Sequence, residues 1–403
     1  MPFFVPSARR VQLCDTAGYK PALPLYGSKS QYGALTVFVL DSIMNRPSSS
    51  GLWRAMSLFV CGATVAPLFR STAWWVRVCD FPRAQIAGLG TGLLLAAFGK
   101  RNLSRAEKVL AAGVGASVLI QGIHMLKYTR LVRAQTLRSP NPVPTSTISL
   151  LTSNIRMKNR QSGKLLKLVE QSAPDIFLIL EPDQWWVDQM APIESLYKWK
   201  VKVPQDNTYG LALYSKIEML DCQERRLVQR DVPSVRALMR LGNGQKFWFY
   251  AVHPRPPVRG NLEGDLEFTG AASRDAELIR VALEIGELRE PVLVAGDFND
   301  VAWSHTTRRF QRLGRLLDPR VGRGLYNSYH AQHAWFRFPV DHLFHSKEFS
   351  LVHFGRGPEI GSDHFPILAT LALGAPPEQQ PPPRKPDDVQ EAVETLNYGF
   401  SNR

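Results

Sequence analysis

The first 130 residues carry three long apolar runs, at 55–69, 86–98 and 109–126, built largely from Leu, Val, Ala and Gly. Basic residues flank them, among them Arg54, Arg70, Arg83, Lys100, Arg101, Arg105, Lys108, Lys127 and Arg130. Each run falls slightly short of the ~20 residues that usually span a bilayer. Acidic residues are scarce there, small residues are common, and Trp74 and Trp75 sit where a membrane interface would fall. The pattern predicts an all-α transmembrane region over 51–130 with about three transmembrane helices, in preference to a soluble bundle. Residues 1–50 show no clear periodicity and no cleavable signal, and are expected to be a segment of uncertain order.

Region 131–146 ends in RSPNPVPTS (138–146), whose prolines and small polar residues predict a linker. From Thr147 short apolar runs alternate with amphipathic segments. Strands are predicted at 148–152, 176–180, 211–214, 235–241, 247–252, 292–295, 340–344 and 365–371, and helices at 164–171, 272–288 and 306–317. LGNGQ (241–245) between two β-rich runs predicts a hairpin. The mixture indicates an α+β domain over 147–374. Beyond it, APPEQQPPPRKPDD predicts a disordered Pro-rich tail over 375–403.

Charge alters one inference. The formal net charge is +14, which suggests a nucleic-acid partner, yet residues 1–146 hold 17 of the 49 Lys/Arg and only 4 of the 35 Asp/Glu. The basic excess therefore belongs to the apolar region, and domain 147–374 is near neutral. Four cysteines (Cys14, Cys61, Cys79, Cys222) form no Cys-x-x-Cys pair and no zinc-type spacing with histidine.

The chemistry lies at the strand ends. VAGDFNDVAWS (294–304) alone reads as a turn, and it lacks the oxygen-ligand spacing of an EF-hand. But SLLTSNIR delivers Asn154, PDIFLILEP Glu181, FWFYAVHPRPP His253, PVLVAGDFND Asp297 and Asn299, FPVDHLF Asp341, and GSDHFPIL Asp363 and His364. Carboxylates, amides and imidazoles are costly to bury singly, so a set of them predicts one shared polar site.

The order SNIR, LILEP, AVHPRPP, GDFND, PVDHLF and GSDHFPI resembles the endonuclease/exonuclease/phosphatase superfamily, which includes deoxyribonuclease I, exonuclease III, neutral sphingomyelinases and inositol polyphosphate 5-phosphatases. With the basic apolar region ahead of it, the chain resembles bacterial membrane-anchored members. The resemblance covers 147–374 and implies a four-layer α/β/β/α sandwich, deoxyribonuclease I-like, whose strand ends converge on a divalent metal. It further implies metal contacts from Glu181, Asn154 and Asp363, and catalytic roles for His364, Asp341, Asp297, His253 and Asn299. Asn299, His253 and Tyr209 are the implied substrate-binding residues. The Tyr-bearing YVPN-like segment of the apurinic-endonuclease branch is absent, which weighs against abasic-site repair.

These roles suit phosphoester hydrolysis. Mg²⁺, with Mn²⁺ as the alternative, prefers carboxylate and water oxygens and polarises phosphoryl oxygens. A histidine held by a carboxylate relays protons near neutral pH, and amide and imidazole N–H groups stabilise developing charge. The expected function is a membrane-anchored, metal-dependent phosphoester hydrolase acting on nucleic acid or on a phospholipid-type substrate. The alternatives are a sphingomyelinase-like head-group phosphodiesterase and a catalytically silent membrane binding protein. The expected partner is a lipid bilayer and the expected location the bacterial inner membrane, multi-pass. A cytoplasmic 99–108 loop would put the catalytic domain outside, although basic residues after the third run favour the reverse.

Overall fold

The computed structural model describes residues 49–403 except 70, 101, 261–265, 269–270, 375–377 and 402–403. The segment 1–48, with its expectation of uncertain order, lies outside the described residues. Helices α1 (Ser49–Val65), α2 (Trp74–Val78), α3 (Arg83–Phe98) and α4 (Arg105–Leu126) come first. Two sheets follow. The six-stranded one contains β1 (Thr147–Asn154), β2 (Ile176–Leu180), β3 (Trp199–Val203), β4 (Leu211–Ser215), β12 (Phe349–Arg356) and β13 (Ile367–Leu373), in the order β12-β13-β1-β2-β4-β3. The five-stranded one contains β5 (Glu218–Arg225), β6 (Ser234–Arg240), β7 (Lys246–Ala251), β10 (Val292–Asp297) and β11 (Asp341–His345), in the order β11-β10-β7-β6-β5. A small ribbon, β8 (Val258–Gly260) with β9 (Leu266–Phe268), stands apart.

Period-2 burial explains the layers. On β1 and β2, Leu150, Ile176, Leu178 and Leu180 point inward to meet Val235, Phe247, Phe249 and Leu293 of the other sheet, forming the central core. Alternate residues face outward: Leu151, Phe177 and Ile179 pack under α5 (Ser162–Ser172) and α6 (Gln184–Gln189). Tyr250, Val294 and Phe344 pack under α7 (Ala272–Glu287) and α8 (His305–Leu313). Both sheets are apolar on two faces because each is covered twice, which is the four-layer α+β arrangement.

Strands β3, β5 and β12 were not predicted. WKVKV and EMLDCQER each carry several charges because they are edge strands with one solvent-facing side. Helix α8 stops at Gly314, earlier than its apolar spacing suggested, and Arg315 then adopts φ +54°.

Two segments differ from expectation. The linker region is bound to the domain: Leu351 N donates to Leu137 O at 2.8 Å, Ser139 N to Leu351 O at 3.0 Å, and Thr136 Oγ1 lies 2.9 Å from His345 Nε2. The tail expected to be disordered forms α9 (Asp388–Ser401). Its Ala392, Leu396 and Phe400 join the core beneath α7. Arg312 holds Asp388 through two bonds of 2.7 and 2.6 Å, and Arg309 pairs with Glu391. Proline and charge in the sequence hid this amphipathic helix.

The N-terminal helices carry their polar groups inward. Ser57, Thr64, Arg83, Ser117 and Gln121 are buried, whereas Phe59, Phe69, Leu95, Phe98, Val109 and Leu119 are exposed. Gln121 Nε2 donates to Thr64 Oγ1 at 3.0 Å, and Arg83 Nη1 donates to Gln121 Oε1 at 2.8 Å. A second cluster, including Tyr128, Val301, Trp303, Phe338 and Phe81, joins these helices to the two-sheet domain.

One buried group on α7 carries a stability prediction. Burial pushes the Glu277 carboxyl up to about 8, and its Oε1 has no hydrogen-bond partner among the described residues. Its folded value exceeds the unfolded one, so its contribution is complete below about pH 4.5 and lost as pH rises through about 8. Glu277→Gln should therefore match the wild type near pH 4.5 and become more stable than it by pH 8, by on the order of a few kcal/mol. Urea unfolding of the full chain across that range measures the difference.

Candidate active site

The site forms where strands of both sheets end on the same edge. Strands β1 and β2 run parallel, with Asn154 paired to Leu180, so Asn154 and the following Glu181 emerge together. Strands β7 and β10 are also parallel, which brings the residues after Ala251 beside Asp297. Antiparallel β11 pairs Asp341 directly with Asp297. His342 points to the other face, where its ring stacks on Phe298 at 4.6 Å between centroids and its Nδ1 lies 2.7 Å from Arg320. It belongs to the outer core.

The chain turns sharply as it leaves these strands. Arg156, Glu181 and Asn299 take φ values of +54°, +66° and +50°. Left-handed non-glycine residues cost energy and persist where surrounding contacts fix them. Gly296, at φ +148°, sits so close to β7 that a Cβ would lie 1.9 Å from Val252 O. At Gly210 a Cβ would lie 1.9 Å from Pro182 O, and Glu181 N donates to the Gly210 carbonyl at 2.9 Å.

Asp297 is the hub. Its Oδ1 accepts from Asn299 N at 2.8 Å and its Oδ2 from Asn154 Nδ2 at 3.1 Å. Around Oδ2 also stand His364 Nε2 at 3.7 Å and His253 Nε2 at 3.9 Å. His364 Nδ1 lies 2.7 Å from Asp341 Oδ2, which fixes the ring. Burial lowers the His364 pKa, but the Asp341 and Asp297 carboxylates outweigh it and raise the value above that of free histidine. Burial, then the Asp341 charge, raises that of Asp297. His253 is pushed down to about 4 by burial and stands neutral at physiological pH.

Glu181 is tied by Asn154 Nδ2 at 2.9 Å and by Met157 N at 3.3 Å, and burial raises its pKa. Buried carboxylates crowded in this way suit a hard cation that takes oxygen ligands. The Asp297 and Asp341 oxygens and a His364 nitrogen lie within 4.8 Å of one another, and Glu181 is joined to Asp297 through Asn154. Asn154 itself, expected among the metal contacts, turns its amide nitrogen to both carboxylates while its Oδ1 accepts from Arg156 N at 3.0 Å. Its amide nitrogen thus bridges Glu181 and Asp297.

Asp363 stands at the rim, with its carboxylate 3.7 Å from Arg156 Nε. Tyr209 is buried with its ring 5.8 Å from that of His253 and the Arg255 guanidinium 5.0 Å above it. Asn299 Nδ2 donates to Pro254 O at 3.0 Å, securing the loop that follows His253.

The match to known families extends over most of this framework. Residues 151–364, more than half of the chain, match the model of the Endonuclease/Exonuclease/phosphatase family. The chain belongs to that family. Its members are phosphoester hydrolases of a general kind, and the matched span contains every strand-end residue described above. Solved structures with similar folds include an endonuclease/exonuclease/phosphatase from Bacteroides vulgatus, 18% identical over 56% of this chain and 99% of that one, with a TM-score of 0.45. The human Nocturnin catalytic domain with bound sulfate is 14% identical over 58% and 96%, with a TM-score of 0.46. A humanized D. rerio TDP2 is 16% identical over 57% and 100%, with a TM-score of 0.44. No curated protein matches the sequence.

Several residues to which the motifs gave no role also shape the site. Ser362 Oγ donates to Asn154 O at 2.8 Å and accepts from His364 N at 3.0 Å. Ser328 Oγ accepts from Asp341 N at 3.1 Å. Arg274 of α7 is buried behind the loop after β10. It donates to Asn299 O at 2.7 Å and to Asp275 at 3.0 Å, and lies 3.3 Å from Asp300. Asp275 in turn pairs with Arg77 of α2. A polar residue inside an amphipathic helix was the available signal, but Arg274 reads as solvent-facing without the fold. By contrast Arg312 serves α9 and Trp186 fills the outer core, so neither reaches the site.

Arg274→Met should leave buried Asp300 without its cation, while Asp275 keeps Arg77, and destabilise the protein by about 3–5 kcal/mol. Thermal and denaturant unfolding against wild type check this, and Arg240→Met, at an exposed pair with Glu218, should cost under about 1 kcal/mol.

Proposed function

We propose that the protein is a membrane-anchored, divalent-metal-dependent phosphoester hydrolase that directs water in line at phosphorus. The observation that carries this reading is the convergence of Asn154 Nδ2, His253 Nε2 and His364 Nε2 within 4 Å of one carboxylate oxygen, Asp297 Oδ2. Asp297, raised in pKa and aimed by two N–H donors, takes the proton of the attacking water. His364, held protonated against Asp341, faces the phosphoryl oxygens and supplies charge and a proton as the ester oxygen leaves. His253, neutral, donates a hydrogen bond through Nε2. Glu181 and the Asp297–Asp341 pair would hold Mg²⁺ or Mn²⁺, which would supply neutralisation of phosphate charge. Around the opening, Arg156 stands beside Asp363, and Arg337 and Arg356 lie 5.1 and 4.1 Å from the Phe365 ring, a basic rim for an anionic substrate.

Membrane attachment rests on exposure more than on composition. The apolar windows in Ser49–Phe69 and Arg105–Leu126 are long enough to cross a bilayer, yet only 28% and 17% of them is buried. A soluble core helix would be mostly covered, whereas here Phe59, Leu95, Val109 and Leu119 are exposed around the apolar cluster. The third helix, α3, is shorter. A lipid head-group substrate is the second reading. Trp335 and Phe336 are 83% and 62% exposed on the loop that precedes β11, and Gln85 of α3 donates to Trp335 O at 2.5 Å. That places two large aromatic rings beside the apolar helices and near the site.

Turnover of bis-p-nitrophenyl phosphate should stop with EDTA and return with Mg²⁺ or Mn²⁺. His364→Ala and Asp297→Ala should each lose about 10²–10⁴-fold in kcat. Metal-independent turnover, or variants equal to wild type, rejects the mechanism. Plasmid DNA and sphingomyelin assayed side by side separate the two substrate readings. Cell fractionation should recover the protein in membranes and release it only with detergent; recovery in the soluble fraction rejects the anchor.

A further inference from the structure

The segment after α4 crosses onto the catalytic domain beside a cavity of about 420 Å³, lined by Arg130, Thr136, Arg138, Gly322, Arg323 and Tyr326 among others. We propose that this cavity is a second anion site, separate from the catalytic one, that binds a phosphate group carried by a lipid or free in solution.

Three guanidinium groups line the cavity and no Asp or Glu does. Arg130 and Arg138 are exposed, and neither joins an ion pair among the described residues. Arg323 is fixed in the wall: its Nη1 donates to Pro319 O at 3.2 Å and its Nη2 to Thr136 O at 2.6 Å. Those carbonyls orient the group without neutralising it. Burial, followed by the charge of Arg138, pushes the Arg323 pKa below that of a free guanidinium. Like charges thus face one another with no carboxylate between them. Gly322, at φ +76°, closes the floor, since a Cβ there would lie 2.5 Å from Ala134 Cα. Planar guanidinium forks bind phosphate oxygens in pairs, and a bound phosphate would relieve the repulsion.

The cavity stands well away from the catalytic residues. Arg138 bridges to Leu351, which aligns through Leu371 with Ile148 near the start of β1. Asn154 ends that strand six residues on, about 20 Å along it. Arg130 follows the end of α4 at Leu126 by four residues. If α4 spans a bilayer, the cavity lies at head-group level, where basic pockets attract anionic lipids. The lipid source, unlike the site itself, rests on the membrane reading above.

The test uses the full chain in detergent with EDTA, so that metal-dependent binding at the catalytic site does not contribute. Isothermal titration with inorganic phosphate and with dihexanoyl phosphatidic acid should show saturable binding. The double variant Arg130→Ala/Arg138→Ala should weaken it by at least about tenfold, whereas His364→Ala should leave it unchanged. Tighter binding of the lipid by about tenfold or more assigns the head group; equal affinity assigns free phosphate. No saturable binding of either probe, or binding unaltered in the double variant, overturns the proposal. Loss of hydrolase activity elsewhere would not affect this result.

Discussion

Asp297 and Asp341 are paired across neighbouring strands, and burying their two carboxylates side by side constrains everything around them. Like charges at such range oppose folding unless cations and N–H donors surround them. His364 provides the positive charge, Asn154 and the Asn299 backbone provide donors, and Ser328 and Ser362 hold the backbones of Asp341 and His364 in place. Glu181 adds a third carboxylate through the shared Asn154 amide. Such a site is stable only as a complete set, and its excess of negative charge is what prepares it for a cation.

The support continues outward to the N-terminal helices. Arg274 braces the loop after β10 from behind, Asp275 links Arg274 to Arg77, and Trp303 Nε1 donates to Asp80 O at 2.6 Å. Tyr128 Oη donates to Ala302 O at 2.8 Å from the other side. The helices at the start of the chain are thus part of the framework that positions Asp297 and Asn299. Between them an apolar cluster of Val60, Ile86, Leu93 and Val114 surrounds a few buried polar groups, and large apolar side chains such as Phe59, Leu95 and Leu119 stand exposed outside.

Much of this was legible. Apolar runs bounded by a polar residue gave β1, β2, β7, β10 and β11, and the strand-end residues Asn154, Glu181, His253, Asp297, Asp341 and His364 do meet in one place. Edge strands such as Trp199–Val203 escaped because only one face is apolar, and α9 escaped because its amphipathic pattern follows a run of prolines. Arg274 and Ser328 were invisible for a different reason. Their importance comes from backbone carbonyls and amides that only the folded chain brings near, and no local pattern encodes such a partner. Asn154 shows what residue type alone leaves open: its amide nitrogen ties Glu181 and Asp297 together, a link that only the fold creates.

The position of β1 has a consequence for the life of the chain. It sits in the middle of its sheet between β2, which follows within a few tens of residues, and β13, whose pairing partner for Thr147 is Ala372. Contacts this distant in sequence close late and slowly. Asp363 and His364 immediately precede that last strand, so they are delivered only with it. While the polypeptide is being made, the early half of the fold can assemble around β1 and β2, but the hydrolytic constellation does not exist. A chain that stops short of β13 therefore presents Asn154 and Glu181 without the Asp363 and His364 that complete their surroundings.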